Sequence, residues 1–495
     1  MNATAQTPIA RLGQWLILGL FLATTTLMPG LAAAQGVDLP NIGDSGASDS
    51  TPEHEHRLGQ AALNSLRRQH AVLGDPLVES YVQNLGYSLV SASDTQERQF
   101  HFFVVDDSGI NAFAMPGGYI GVNYGLILDT QSESELAAVM AHEISHVTQR
   151  HYARTYEAHK GAGLATTAAL IAAIILGGKS DQAGQAAAAS IAAGSAQSQL
   201  NFTRSNEKEA DRMGIKLLAK AGFDPQAMAD FFQRMQQSTR LYGAELPEFL
   251  RTHPVTTARI ADARNRAAQM PHHQVHEHKA YFLVRARLRV LGSNDAQDAV
   301  TQFKKELASG SYLDEDAERY GYALALTKAG DYAKALAELK PLLAKAPERI
   351  AYRVAQAQAQ AGAGHTDQAL ETYRQALKLN PYNPVLSHYY ATTLLQANQP
   401  KQASKYLHEY LQNASPTAGI YRLLARAEGQ AGDNVDSQIA MAEYYHARGE
   451  LHEAIRQLHA ARRAKHLTFY QSSRIDARLK EFENQAAALP KDSDH

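Results

Sequence analysis

The run Ala141-His142-Glu143-Ile144-Ser145-His146 sets two imidazoles four residues apart, with a carboxylate next to the first. On a helix, residues at that spacing lie on one face, one turn above the other. Two imidazoles so placed can bind one tetrahedral Zn²⁺. Glu143 is then near enough to take a proton from a metal-bound water. Just upstream, Ser132 and Glu135 offer a capping box that would start this helix. Leu136, Met140, Ile144 and Val147 recur at helical spacing, and His142 and His146 point away from that stripe. The helix is expected to pack on one side and to do chemistry on the other. The competing reading is a solvated helix with two incidental histidines.

A catalytic zinc site needs a third protein ligand and an open position. The next chemical cluster is Ser205-Asn206-Glu207-Lys208-Glu209-Ala210-Asp211-Arg212. Glu207 and Asp211 share a helix face that continues through Gly214 and Leu218, whereas Glu209 points elsewhere. The economical assignment makes Glu207 the ligand and Asp211 the acceptor that orients a ligand histidine. The alternative is an exposed acidic helix start, stabilised by the macrodipole.

Composition narrows the chemistry. The chain has 495 residues, enough for two or three domains, and a formal net charge of −2. No global field therefore recruits nucleic acid or anionic lipid. Cysteine is absent, so histidines and carboxylates must do any metal work. Arg11, the apolar run Trp15 to Leu22 and Ala32-Ala33-Ala34 fit a cleavable export signal over 1–34; a retained anchor is the alternative. An exported chain without cysteine suits a bacterial periplasm.

A Gly-, Ser- and Asp-rich leader covers 35–51, and helical periodicity starts near Pro52. Asp75 and Pro76 mark a second helix start. Phe100 to Val105 reads as a strand, and Asn111 to Met115 and Tyr119 to Val122 as two more around a turn. This small sheet either offers an edge to an extended peptide or simply closes the core. Between Lys160 and Lys179 the chain carries no charge. A single membrane crossing there would place His142 and Glu207 on opposite sides of the bilayer. A flap or interfacial segment, with peripheral membrane contact over 161–178, is the preferred reading.

Gly330, Gly364, Asn398 and Gly432 recur every 34 residues, the tetratricopeptide period. Ala335 and Ala369, and Pro347 and Pro381, keep the same register, and Ala403 continues it. Gly or Asn suits a turn with φ > 0 between paired helices. After Gly432 the register breaks, although Gly449, Ala454 and Ile455 suggest a further repeat-like helix. Such an array presents a concave surface to an extended partner, unless it merely covers the first domain. The expected boundaries are 52–271 for the first domain, 272–314 for a helical connector, 315–488 for the repeats and 489–495 for a polar tail.

His142-Glu143-x-x-His146 followed by Glu207-x-x-Ala210-Asp211 resembles the gluzincin peptidases that include the HtpX-type and CAAX prenyl proteases. Asn111-Ala112-Phe113-Ala114, Thr252-His253-Pro254 and Arg259 carry the same resemblance. It implies a mainly α (α+β) zinc metallopeptidase domain with a small sheet, followed here by tetratricopeptide repeats. It makes His142, His146 and Glu207 the ligands of one Zn²⁺ per chain, Glu143 the general base and Asp211 a second acidic residue with a proton-donor role. Exported, repeat-bearing members imply an outer-membrane role: degrading stalled β-barrel proteins and assisting assembly of others, in contact with the barrel-assembly machinery. His253 is either a fourth ligand that keeps the enzyme latent or a loop residue binding structure or substrate. Arg259 either stabilises the oxyanion of the reaction or pairs with Asp211 or Glu207. The rival function is a chaperone or adaptor working through the repeats, with a dormant zinc site. A third is an integral membrane protease.

Overall fold

A computed structural model describes residues 51–93, 99–151, 164–175, 204–242, 247–271, 275 and 277–488. The expected export signal, nearly all of the leader and the polar tail lie outside the described residues. Helix α1, Pro52–Arg68, starts where Thr51 accepts the His54 N–H. Helix α2, Pro76–Ser91, is capped by Asp75, whose Oδ1 accepts the N–H groups of Leu77 and Val78 at 3.2 and 3.1 Å. Each cap satisfies donors that the first turn leaves orphaned.

Three strands follow: β1 His101–Val105, β2 Ala112–Met115 and β3 Tyr119–Asn123. The sheet order is β1-β3-β2, with β1 parallel and β2 antiparallel to β3. Alternation along β1 separates two cores. Phe102 and Val104 face one core, built with α2 and the helices described next. Phe103 and Val105 face another, against α1. Burial on both faces explains why Phe102 to Val105 read as an unbroken apolar run.

After the short α3 (Tyr124–Asp129) comes α4, Glu133–Thr148, which carries the two histidines. Ser132 accepts the Glu135 N–H at 3.1 Å, and Glu135 Oε2 reaches back to the Gln131 N–H at 2.7 Å, one residue before the cap. Leu136, Met140 and Ile144 enter the core as expected, and the opposite, chemical face is buried too: Glu133 to His146 are all buried. The chemical face is covered because helices that follow in the chain close over it.

The helices that follow are α5 Leu164–Ile175, α6 Arg204–Lys220, α7 Ala227–Tyr242, α8 Glu248–Thr252 and α9 Thr257–Ala267, of which α6 and α7 pack against α4. Helix α5 comes from the uncharged stretch. It packs Ala168, Ile171 and Ala172 into the second core beside α1. Its 12 residues span about 18 Å, short of a hydrocarbon core of about 30 Å. No helix among the described residues is long and apolar enough to cross a membrane.

Helix α10, Lys279–Leu291, belongs to both halves of the molecule. Tyr281, Val284 and Leu288 enter the core of the first domain, while Leu283, Ala286 and Val290 enter that of the first repeats. The helices that follow are α11 Ala296–Ser309, α12 Glu315–Lys328, α13 Tyr332–Lys345, α14 Ile350–Gly362, α15 Thr366–Leu379, α16 Pro384–Gln396, α17 Pro400–Asn413, α18 Ala418–Ala431, α19 Asn434–Ala447, α20 Leu451–Arg462 and α21 Phe469–Ala488. The four residues spaced by 34 all have left-handed backbones: φ is 84° at Gly330 and Gly364, 54° at Asn398 and 94° at Gly432. Ala335, Ala369 and Ala403 are fully buried, so neighbouring helices meet on a methyl group. Arg287 of α10 forms a two-pronged pair with Asp75 at 2.8 and 2.6 Å, and Tyr389 of α16 hydrogen-bonds to both. At the far end of the array, Asn64 of α1 donates to the Arg448 carbonyl at 2.7 Å.

Candidate metal centre

Helix α6 lies against α4 because Gly214 faces the ligand turn. A Cβ on Gly214 would sit 3.2 Å from the His142 nitrogen and 3.3 Å from the Ala141 carbonyl carbon, so any side chain would push the helices apart. This approach carries Glu207 and Asp211, both 2% exposed, up to the two histidines. His253 follows α8; its N–H donates to the Phe249 carbonyl at 2.8 Å and its ring rests on that phenyl group.

The donor atoms converge. His142 Nε2 is 3.0 Å from His146 Nε2 and 3.4 Å from His253 Nδ1. Glu207 Oε1 is 3.4 Å from His146 Nε2 and 3.0 Å from His253 Nδ1, and its Oε2 is 3.6 Å from His142 Nε2. One ligand atom from each of the four residues lies within 4.8 Å of the others. Four donors about 2.05 Å from a tetrahedral zinc would be about 3.3 Å apart, which these separations bracket. The donor set fits a metal on chemical grounds too: three imidazoles and a carboxylate, all buried together. Glu143 stands beside them, fully buried, with His253 Nε2 3.5 Å from its Oε1.

Residues 76–267 match the family model "Peptidase family M48", and residues 360–427 match a tetratricopeptide repeat model. Over 465 residues the chain is 36% identical to the Beta-barrel assembly-enhancing protease of Escherichia coli (strain K12), covering 94% of this chain and 95% of that one. The chain belongs to the beta-barrel assembly-enhancing protease family. The relative of that name from Yersinia pestis is 35% identical over 450 residues, 91% of this chain and 92% of that one. A match to the Mitochondrial metalloendopeptidase OMA1 of Schizosaccharomyces pombe is 30% identical over 220 residues, 43% of this chain and 61% of that one. The protein is a metal-dependent endopeptidase with a tetratricopeptide array.

In this family member the electrostatics of the site follow from burial and neighbours. Burial alone would lower the pKa of His142, but the hydrogen bonds and charges of Asp211 and Glu207 overcome it and raise it to about 10. Burial dominates at His146 and pushes its ring well below the usual imidazole range. Burial works against the Glu207 anion, yet His253, His142 and His146 hold it well below the carboxylate range. Burial raises Glu143, with His253 and His142 offsetting part of the rise, which suits a group that must accept a proton.

Asp211 Oδ1 lies 3.0 Å from His142 Nδ1, on the side of the ring away from the donor cluster. Arg259, 4% exposed, grips Asp211 with its Nε and Nη2 at 2.7 Å each. Its Nη1 lies 2.8 Å from Glu207 Oε2 and donates to the Pro254 carbonyl at 2.8 Å. The structure thus brings His142, Glu143, His146, Glu207, Asp211, His253 and Arg259 into one buried cluster. Two residues that the sequence reading passed over extend it. His151, fully buried, contacts His146, and Glu209 contacts His151. The signal for His151 was a third histidine just past the helix end, outside the four-residue rule. Glu209 was set aside because it leaves the Glu207–Asp211 face.

Proposed function

We infer that this protein is an exported zinc endopeptidase that rests in a latent state and acts on misfolded or stalled outer-membrane β-barrel proteins in the periplasm. The convergence of four buried donor atoms beside Glu143 carries the hydrolytic part of this reading. His142, His146 and Glu207 are the permanent ligands of one zinc ion, and His253 is the fourth while the enzyme rests. Bound there, the metal supplies Lewis acidity toward a water and a substrate carbonyl. Glu143 takes the proton from the attacking water and passes it to the leaving amine.

Latency is supported by burial. His142, Glu143, His146, Glu207, Asp211 and His253 are each at most 2% exposed, so a peptide reaches them only after a movement. Withdrawal of His253 opens the fourth position. Asp211 is assigned to orienting His142, not to donating protons, because Arg259 and His142 hold it anionic against burial. Arg259 is assigned to the carboxylates it grips; an oxyanion role requires it to leave them. Strand β2, at the sheet edge beside α4, is the place for an extended substrate to add.

The domain limits proposed are 52–271 for the peptidase, 272–314 for the connector and 315–488 for the array. The name carried by the full-length relatives supports β-barrel proteins as substrates and the barrel-assembly machinery as partner, with the repeats as the contacting surface. Metal analysis with peptidase assays tests the core of the reading. Wild type is expected to hold about one zinc per chain, and Glu207→Gln to lose both metal and cleavage. His253→Ala is expected to keep metal and cleave faster than wild type. Equal or lower activity in His253→Ala removes the latency, and metal retained in Glu207→Gln removes the ligand set.

A further inference from the structure

Behind His146, on the side away from the donor cluster, two more groups stand in line. His146 Nδ1 is 3.0 Å from His151 Nδ1, and His151 Nε2 is 3.3 Å from Glu209 Oε2. His151 is fully buried, while the Glu209 side chain is 35% exposed. Between two facing imidazole nitrogens only one can carry the hydrogen. A histidine that gives its Nε2 lone pair to a metal keeps its single N–H on Nδ1. His151 Nδ1 must then accept that hydrogen, so the proton of His151 sits on Nε2. That is where the Glu209 carboxylate accepts it.

We propose that His151 and Glu209 are positioning residues that fix His146 in its metal-ligating tautomer and ring orientation. The inference rests on the reading of His146 as a ligand. The opposite arrangement, with His151 donating to His146, places the remaining hydrogen of His146 on the atom that must bind the metal. Glu209 disfavours that arrangement by holding the proton of His151 at the far nitrogen. The backbone is built for the contact. Helix α4 ends at Thr148, and Arg150 takes a left-handed conformation, φ 52°, that turns His151 back beneath His146. Arg150 is itself tied to Glu55 of α1 at 2.7 Å.

The test uses the full mature chain loaded with Co²⁺, reading the dissociation constant by chelator competition and the visible absorption of the bound ion. His151→Leu fills the space but removes the acceptor; it is expected to weaken Co²⁺ binding about 10- to 100-fold and to shift the absorption bands. His151→Asn places an amide oxygen near the Nδ1 position and is expected to restore binding to within a few-fold of wild type. Glu209→Gln, at a partly exposed position that tolerates the change, is expected to weaken binding a few-fold. A role in packing alone makes Leu the milder variant at position 151, and that order overturns the proposal. So does wild-type affinity with an unchanged spectrum in His151→Leu or, should that variant not fold, in Glu209→Gln. Failure of the wild type to bind Co²⁺ would instead remove the assignment of His146 as a ligand.

Discussion

Replacing Arg287 by Met tests how firmly the repeat array is tied to the peptidase. Arg287 is 6% exposed, and Asp75 is 9% exposed. Removing the guanidinium leaves a buried carboxylate with the Leu77 and Val78 N–H groups and the Tyr389 hydroxyl, but without its cation. Breaking one side of a buried pair costs about 3–5 kcal/mol. A domain is commonly stable by about 5–15 kcal/mol, so the variant should lose a large share of its margin. Tyr389→Phe removes hydrogen bonds to both charges but leaves the pair itself intact, and should cost about 1.5–3 kcal/mol, less than Arg287→Met. Replacing both Asp75 and Arg287 by apolar residues should cost less than Arg287→Met alone. What remains there is the lost cap of α2, about 1 kcal/mol.

The pH dependence gives a second check on the same variant. Burial opposes the Asp75 anion, but Arg287 outweighs it and holds the carboxyl below its ordinary value of 3.8. Its contribution is therefore present above about pH 4 and lost as pH falls through the folded pKa. Without Arg287, burial takes over and raises the pKa. The folded variant then binds a proton more readily than the unfolded chain, so acidification toward pH 4 relieves it. Urea unfolding followed by circular dichroism at pH 7 and pH 4.5 should show a gap from wild type that narrows in acid. A variant within about 1 kcal/mol of wild type at pH 7, or a gap that widens in acid, refutes the coupling.

Three further outcomes follow from the site. Glu143→Gln should abolish cleavage while retaining metal and fold; a cellular phenotype that survives this change belongs to the repeats acting as an adaptor. Arg259→Met leaves Glu207 and Asp211 without their fixed cation, so zinc content should fall together with kcat; a fall in kcat at full zinc content would favour the oxyanion role. In the metal-free protein His142 is raised to about 10, so at pH 7 its ring carries a proton that ligation must expel. Zinc titration calorimetry in buffers of different ionisation enthalpy should report about one proton released per ion, with apparent affinity rising about tenfold per pH unit between 7 and 9. Zinc uptake without proton release contradicts the charge state assigned to the pocket.

What the sequence made legible was periodic or local. The Ser132 cap, the four-residue histidine spacing and the 34-residue recurrence each arise within one helix or one repeat. The left-handed backbones at Gly330, Gly364, Asn398 and Gly432 follow from the same rule. The Glu207–Asp211 spacing was equally local, though only the approach permitted by Gly214 turns it into a site. The contacts that escaped reading join residues far apart, as with Asp75, Arg287 and Tyr389, or depend on a single backbone angle, as with His151. Helix α10 shows why. Its apolar residues recur at ordinary helical spacing, yet alternate ones serve two different cores. A hydrophobic pattern records that a side chain is buried but not against what. The same limit applies to α4: its spacing marks a chemical face at His142, but not that this face is buried by α6, which begins more than fifty residues later, at Arg204. Helix faces inferred from one segment are therefore faces toward or away from water only when no later segment returns to pack there. In an enzyme whose ligand and base side chains are held out of bulk solvent, the reactive face is the one to which later segments return.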